Sequence, residues 1–440
     1  MTWIPEDSEG LRIHLIPPRF SWVHRAPVIV LLNGQEMLPL REGWAILLTE
    51  FMKQIRAHGP KTVTEADLQP ILHRTFQGVR RVYPEVRDER LQEDLAVMME
   101  TFEAVLTGKT PKIEISNLSI TEYAPHMRAP HRMDLMLSAM TKEGHWNCNQ
   151  KCLHCYAAGQ TLSDTEELST GEWKKILAAC KKAGVTQVTF TGGEPTLRKD
   201  LCELVAEAGW FVTRLNTNGI LLTEELCRRL KEAQLDNVQV TLYSADPGIH
   251  NRLVGADGFQ ATAAGIKNAV AAGLNVSINT PLCRWNREYL EALKLARALG
   301  VTYATCSGLI VTGNATADAS KSTQLPEEEL LGILEQAAAF CKENGMGLAF
   351  TSPGWIAPEK LLRLGIDVPS CGACLSNMAV APDGSVIPCQ SWLSGENFGK
   401  MQRDPWKKIW DHRDCKKQRK QSAGRKLVCP LREREEKKGE

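Results

Sequence analysis

NCNQKCLHCYA, residues 147–157, carries Cys148, Cys152 and Cys155 in the spacing C-x3-C-x2-C. Three thiols this close together have the spacing of metal ligands. A structural zinc site takes four nitrogen or sulfur ligands, and His145 or His154 could supply the fourth. Four cysteines close a [4Fe–4S] cluster, whereas three leave one iron open to a further ligand. Taken alone, the loop allows both readings.

The surroundings set it in an alternating pattern. Strands are expected at 187–193, 210–219, 237–244, 275–282 and 301–311. Helices are expected near 171–183, 200–208, 223–233, 259–272 and 287–299. With a strand leading to Cys148 this makes about six βα units, the mark of a parallel sheet covered by helices. TFTGGEPTLR (189–198), NTNG (216–219), YS (243–244) and INT (278–280) all fall at the C-terminal ends of expected strands. Parallel barrels place their active sites there, so an α/β partial barrel is favoured over a flat doubly wound sheet.

The 440 residues hold 53 lysines and arginines against 52 aspartates and glutamates, a formal charge of +1. No global field points to nucleic acid or membrane partners. No apolar run approaches the ~18 residues of a membrane span, and MTWIPEDSEG lacks a secretory pattern. A cytoplasmic location is expected, where thiols stay reduced. Of the 14 cysteines, three lie at 148–155 and five between Cys371 and Cys429. The other six read as small buried hydrophobes.

Before the alternating region, PVIVLLNGQEMLPL reads as a hairpin around Asn33-Gly34. Three helices follow. The first stops at Gly59-Pro60, the second is interrupted or bounded near Pro70, and the third buries Leu91, Leu95, Met98, Met99 and Phe102. A strand is expected at KIEISNL (112–118). The organisation expected is an α+β module at 1–110, a linker at 111–138, the barrel at 139–325, a bridging helix and strand at 326–360, and a cysteine-rich domain at 361–440.

The three-cysteine loop, GGEP, TNG and the βα rhythm together resemble the radical S-adenosylmethionine (SAM) enzymes, over residues 140–315. The resemblance implies that Cys148, Cys152 and Cys155 hold a [4Fe–4S] cluster with SAM on its fourth iron. It places Gly192, Gly193 and Glu194 against the SAM amine, and Ser244 and Asn279 against its ribose or carboxylate. Reductive cleavage would give a 5′-deoxyadenosyl radical that abstracts hydrogen from a substrate. An electron donor of flavodoxin or ferredoxin type is then required. Cys306, at a strand end, is the one candidate hydrogen donor, although a buried structural thiol is the commoner reading there.

CGACLSNMAVAPDGSVIPCQSW (371–392) resembles the SPASM-type extension of these enzymes. The dense C-x2-C-x5-C-x3-C run of a complete SPASM segment is missing, which fits the shorter twitch version with one auxiliary [4Fe–4S] cluster. Its implied ligands are Cys371, Cys374, Cys389 and Cys429, with Cys415 the substitute; a zinc ribbon is the alternative. The N-terminal module resembles the peptide-recognition element (RRE) of enzymes that modify ribosomally made peptides. A precursor's leader would add to its sheet as a strand; a generic winged helix is the alternative. The implied function is hydrogen abstraction from such a precursor, installing a cross-link, thioether or related modification. The rivals are a maturase of a larger enzyme, a step of cofactor or haem biosynthesis, and a zinc-stabilised adaptor without activity.

Overall fold

The computed structural model describes residues 2–3, 11–19, 27–34, 36–59, 63–114, 118–143, 145–317, 321–424 and 427–436. They form two compact units, Met1–Arg128 and Ala129–Glu440.

The first unit opens with an antiparallel sheet of order β1-β2-β3-β4, formed by Thr2–Trp3, Leu11–Ile16, Val28–Leu32 and Glu36–Leu40. The β3–β4 hairpin, in which Leu32 pairs with Glu36, turns through Asn33 (φ 48°) and Gly34 (φ 72°), two residue types that tolerate positive φ. Helices α1 (Glu42–His58), α2 (Glu65–Arg80) and α3 (Asp88–Leu106) follow. Pro70 neither bounds nor breaks α2. It sits in the second turn, where its missing N–H deprives only the Ala66 carbonyl, and Thr64 and Asp67 close a capping box ahead of it. Val30, Leu32, Leu38 and Leu40 of the sheet pack with Leu48, Phe76, Leu95, Met98 and Phe102 of the helices. Beside β4 lies a cleft of about 750 Å³, lined by Glu36, Met37, Leu38, Val105, Ile113 and Glu122 among others. Of the expected strand at 112–118, residues 115–117 lie outside the described residues and 112–114 form no strand.

The second unit is built on a nine-stranded sheet. Its strands are β5 (Arg132–Ser138), β8 (Gln187–Gly192), β9 (Val212–Thr217), β10 (Asn237–Thr241), β11 (Asn275–Pro281), β12 (Tyr303–Ser307), β13 (Gly347–Phe350), β14 (Asn377–Val380) and β15 (Val386–Ile387). A two-stranded hairpin, β6 (Thr141–Lys142) and β7 (His145–Trp146), leads into the three-cysteine loop. The sheet order is β13-β12-β11-β10-β9-β8-β5-β14-β15, parallel throughout except for β14–β15. The expected helices lie between the strands, at Thr170–Ala183, Leu201–Glu207, Glu224–Glu232, Phe259–Ala271 and Tyr289–Ala298.

Two expectations are revised. Residues 132–138 are not linker but the first barrel strand, buried from Met133 onward. Its buried residues include the polar Asp134 and Ser138 beside Met133, Leu135, Met136 and Leu137. The cysteine-rich segment also does not stand apart from the barrel: β14 pairs in parallel with β5 and extends the same sheet.

The sheet curves, and its two faces differ. Val188, Phe190, Leu215, Val238, Val240, Ile278 and Ala304 are buried at alternate positions. The other set is polar. Gln239 Nε2 on β10 donates to Thr305 Oγ1 on β12 at 3.2 Å, although β11 lies between those strands. Arg214 on β9 interacts with Asp134 and Arg132 on β5 and with Tyr303 on β12. Such contacts between non-adjacent strands require a concave, barrel-like interior.

Candidate functional site

The backbone of the three-cysteine loop is clamped from several sides. Lys151 N–H donates to Val254 O and Leu153 N–H to Leu253 O, both at 2.9 Å. These carbonyls end a helix, Pro247–Val254, that the sequence reading missed; its start was legible in Asp246-Pro247, since Asp246 caps the Ile249 N–H. From beyond β12, Asn314 donates through its backbone to Cys155 O (2.9 Å) and through its side chain to Cys152 O (3.1 Å). Gly313 permits this approach. Its φ is 58°, and a Cβ there would stand 2.4 Å from Cys155 O and 2.5 Å from Tyr156 O.

The thiols themselves are left for another partner. Cys152 Sγ has one weak contact, to Gln150 Oε1 at 3.5 Å. Burial, followed by the nearby Glu194 and Cys155, pushes the Cys148 thiol up to about 12. Cys152 and Cys155 are likewise raised, chiefly by burial. Only a bound cation would turn such a trio into thiolates. Among the described residues no three His, Cys, Asp or Glu side chains are gathered tightly enough to share one metal ion. Both candidate fourth zinc ligands are also turned elsewhere. His154 Nε2 lies 2.8 Å from Thr323 Oγ1, and His145 is exposed on β7.

Glu194 follows β8 and is 1% exposed. Its Oε1 accepts from Thr196 N (3.0 Å), Thr196 Oγ1 (2.5 Å) and Thr217 Oγ1 (2.7 Å), and its Oε2 from Asn218 N (2.8 Å). Burial lifts its pKa above the ordinary value, and these donors work against the shift. Asn218 Nδ2 in turn donates to Asn149 Oδ1 at 2.6 Å, tying the TNG turn to the cysteine loop. Gly192 and Gly193, expected against the SAM amine, have a packing role in this structure. A Cβ on Gly192 (φ 135°) would lie 2.5 Å from Ser138 O, and one on Gly193 2.7 Å from Ala139 O. The pair lets β8 run close against the end of β5.

Ser244, 4% exposed, accepts from Asp246 N at 3.0 Å. Asn279 accepts from Thr305 Oγ1 at 2.9 Å within the concave face. Cys306 is fully buried beside Tyr289 and Cys341, which belong to the helices outside the sheet. Alternation along β12 thus turns it away from the face that Thr305 shares.

The second cysteine group assembles around the β14–β15 hairpin. Cys374 adopts φ 58°, with its N–H directed to Asn377 O and Pro388 O. Its thiol hydrogen-bonds Cys415 and interacts with Cys389, and Cys389 interacts with Cys371 and Cys429. The five cysteines are thus linked pair by pair, Cys415 through Cys374 and Cys371 and Cys429 through Cys389. The Cys374 hydrogen bond and the Arg419 guanidinium hold the Cys415 thiol below its ordinary pKa. Arg419 Nη1 lies 3.5 Å from Cys415 Sγ, and its guanidinium stacks 3.7 Å from the Trp410 ring centroid.

A curved parallel sheet with a three-cysteine loop at the C-terminal end of its first strand defines the radical SAM class, and the radical SAM superfamily model matches residues 147–296. Residues 147–296 are thus similar to that superfamily. More particularly, the SPASM iron–sulfur cluster-binding domain matches residues 371–431. The protein is thus an enzyme whose two domains imply a [4Fe–4S] cluster, SAM and an auxiliary cluster. It is 28% identical over 272 residues to the PqqA peptide cyclase of Granulibacter bethesdensis, covering 60% of this chain and 71% of that one. It is 37% identical over 134 residues to a probable GTP 3′,8-cyclase of Thermococcus kodakarensis, covering 30% of this chain and 43% of that relative. The fold resembles the crystal structure of Streptococcus suis SuiB bound to precursor peptide SuiA, with a TM-score of 0.62 and 15% identity over 95% of this chain and 90% of that one. Among the described residues no helix is long and apolar enough to cross a membrane.

Proposed function

We propose that this enzyme abstracts a hydrogen atom from a ribosomally made precursor peptide and so installs a cross-link, thioether or related modification. Cys148, Cys152 and Cys155 would hold the cluster, and Cys371, Cys374, Cys389, Cys415 and Cys429 are the candidates for the auxiliary one. Bound SAM, reduced by one electron through the cluster, supplies a 5′-deoxyadenosyl radical. The chain's own part is to hold and to shield. Asn314, Val254 and Leu253 fix the cysteine loop. Thr196, Thr217 and Asn218 aim the buried Glu194 carboxylate, whose lone negative charge suits the methionine ammonium of SAM.

The observation that carries the peptide reading is the cleft along the outer strand β4 of the N-terminal unit. An extended leader segment would add there by backbone pairing, with Met37, Leu38 and Val105 receiving alternate side chains. The relatives named for acting on or holding peptides are consistent with it. A small-molecule reading, prompted by the GTP cyclase relative, leaves this cleft without a task.

The test is anaerobic reconstitution with iron, sulfide, SAM and a reductant, supplied with a short peptide encoded beside this protein's gene. A mass change on that peptide, lost when its leader is removed, supports the reading. 5′-Deoxyadenosine formed equally with and without every such peptide, and no peptide product, would overturn it.

A further inference from the structure

Charge in this chain is unevenly placed. The whole sequence carries a net charge of +1, yet residues 400–424 alone hold nine lysines and arginines against three aspartates. Two consecutive helices carry most of them, Trp406–Trp410 and Arg413–Ala423. The longer helix has two unlike faces. Inward, Cys415, Arg419 and Ser422 are buried: Cys415 bonds Cys374, and Ser422 Oγ reaches Ala373 O at 2.8 Å and Cys371 Sγ at 3.9 Å. That face thus lies against Cys371 and Cys374. Outward, Arg413, Lys416, Lys417 and Lys420 are exposed, joined by Lys407 and Lys408 of the shorter helix.

Aspartates neutralise only part of this face. Lys408 pairs with Asp404, Arg413 with Asp414 and Lys416 with Asp411. Lys407, Lys417 and Lys420 have no ion-pair partner among the described residues. A single helix, roughly 10 Å across with its side chains, therefore separates an uncompensated cationic surface from thiols suited to iron and sulfur.

We propose that the face formed by Lys407, Lys417 and Lys420 docks a small acidic electron-carrier protein, which delivers electrons through the 371–429 cysteine pocket. In the exchange the reduced carrier loses one electron and the holoenzyme's iron–sulfur centre gains it. Charge complementarity chooses the occupant: a like-charged surface would be repelled, and an acidic one is steered to the side of the domain where the redox group lies. The inference rests on the auxiliary centre and not on the peptide reading.

The test compares two reductants on the reconstituted enzyme. One is flavodoxin hydroquinone, an acidic protein that must dock. The other is photoreduced deazariboflavin, a small neutral molecule that need not. Stopped-flow bleaching of the iron–sulfur absorbance gives a rate for each, and their ratio cancels any change in the centre itself. In Lys417→Glu/Lys420→Glu the flavodoxin-to-deazariboflavin ratio is expected to fall about tenfold at low salt, with a weaker salt dependence than the parent. Lys417→Ala/Lys420→Ala should fall between the two. The control Lys294→Glu, on a barrel helix, should leave the ratio as it was. A ratio unchanged by both double variants would overturn the proposal. So would an unchanged ratio accompanied by lost retention of a homopolymeric RNA, which would assign the face to nucleic acid.

Discussion

Asn218 Nδ2 and Asn149 Oδ1 are joined at 2.6 Å, and the backbone N–H of the same Asn218 donates to Glu194 Oε2 at 2.8 Å. One residue thus couples the cysteine loop to the carboxylate proposed for the SAM amine. The two contacts can be separated by mutation. In Asn218→Ala the backbone donor survives, while the bridge to Asn149 and the turn bond that Asn218 Oδ1 accepts from Ile220 N–H (3.0 Å) are lost. Iron loading should stay near one cluster's worth per cysteine site, and SAM affinity should fall about fivefold, roughly the ~1 kcal/mol of one neutral hydrogen bond. Iron assay and calorimetric SAM titration of the reconstituted protein check both.

Glu194→Gln tests the carboxylate directly. The amide removes the charge and turns an NH2 toward the Thr196 N–H or the Asn218 N–H, where only acceptors fit. SAM affinity is expected to drop at least about tenfold, since charge-assisted bonds are worth about twice neutral ones. Iron content should hold. Undiminished SAM binding would remove Glu194 from the site.

Gly313 has a quite different role, purely of space. Any Cβ there meets two backbone carbonyls of the cysteine loop while the backbone is held at φ 58°. Gly313→Ala should therefore lower stability by about 1–3 kcal/mol and reduce iron incorporation, because the carbonyls displaced belong to Cys155 and Tyr156. Chemical denaturation and iron assay together report it. Full iron loading in Gly313→Ala would show the loop is not held from this side.

How much of this was open to a reader of the sequence depends on the range of the interaction. Cys148, Cys152 and Cys155, the GGE turn and the strand rhythm are local patterns, and they were legible. A strand leading to Cys148 was expected, but its bounds at Arg132–Ser138 were not, because Pro111, Pro125 and Pro130 gave the stretch before it the look of a linker. Gly313 and Asn314 were missed for a simpler reason. They act on residues some 160 positions away (Asn314 Nδ2 on Cys152 O has a sequence separation of 162), and no local pattern marks a glycine as filling that gap. Cys306 was a candidate by strand position, with a buried structural thiol the commoner reading there, and the register of β12 with β11 and β13 puts it on the helix side as that commoner reading has it.

Cys306→Ala follows from that placement. A thiol packed against Tyr289 and Cys341 cannot reach a substrate on the concave face. Formation of 5′-deoxyadenosine and of product should match the parent, with a stability loss of about 1 kcal/mol from the small cavity. A variant that cleaves SAM normally but makes no product would restore Cys306 as a hydrogen donor.

Acid should weaken the fold through its buried imidazoles. His131 and His250 are both pulled from 6.5 to about 4 by burial. Their folded pKa lies below the unfolded one, so below about pH 6.5 the unfolded chain takes up protons that the folded chain refuses. Stability is complete above that pH and is lost progressively as pH falls toward 4, by roughly 2–3 kcal/mol per group. His250 offers the cleaner test, since its Nδ1 accepts from the Tyr243 N–H at 3.3 Å and an asparagine oxygen can take that place. In His250→Asn, urea denaturation of the apoprotein at pH 7 and pH 5 should show a smaller loss between the two than the parent does.

The pairing of Cys415 with Cys374 and of Cys429 with Cys389 gives the last prediction. If one of Cys415 and Cys429 merely replaced the other, serine at either position would leave the auxiliary iron in place. Cys415 bonds Cys374 directly and Cys429 faces Cys389, so each approaches the pocket from a different side. Cys415→Ser and Cys429→Ser are each expected to lower the iron content, while Cys148, Cys152 and Cys155 keep theirs. SAM binding should consequently survive in both variants. The Cys415 variant should also lose the contact that Arg419 makes with it, leaving that guanidinium held by Trp410 alone among the bonds described here. Equal iron in the parent and in one of the two variants would identify that cysteine as the bystander.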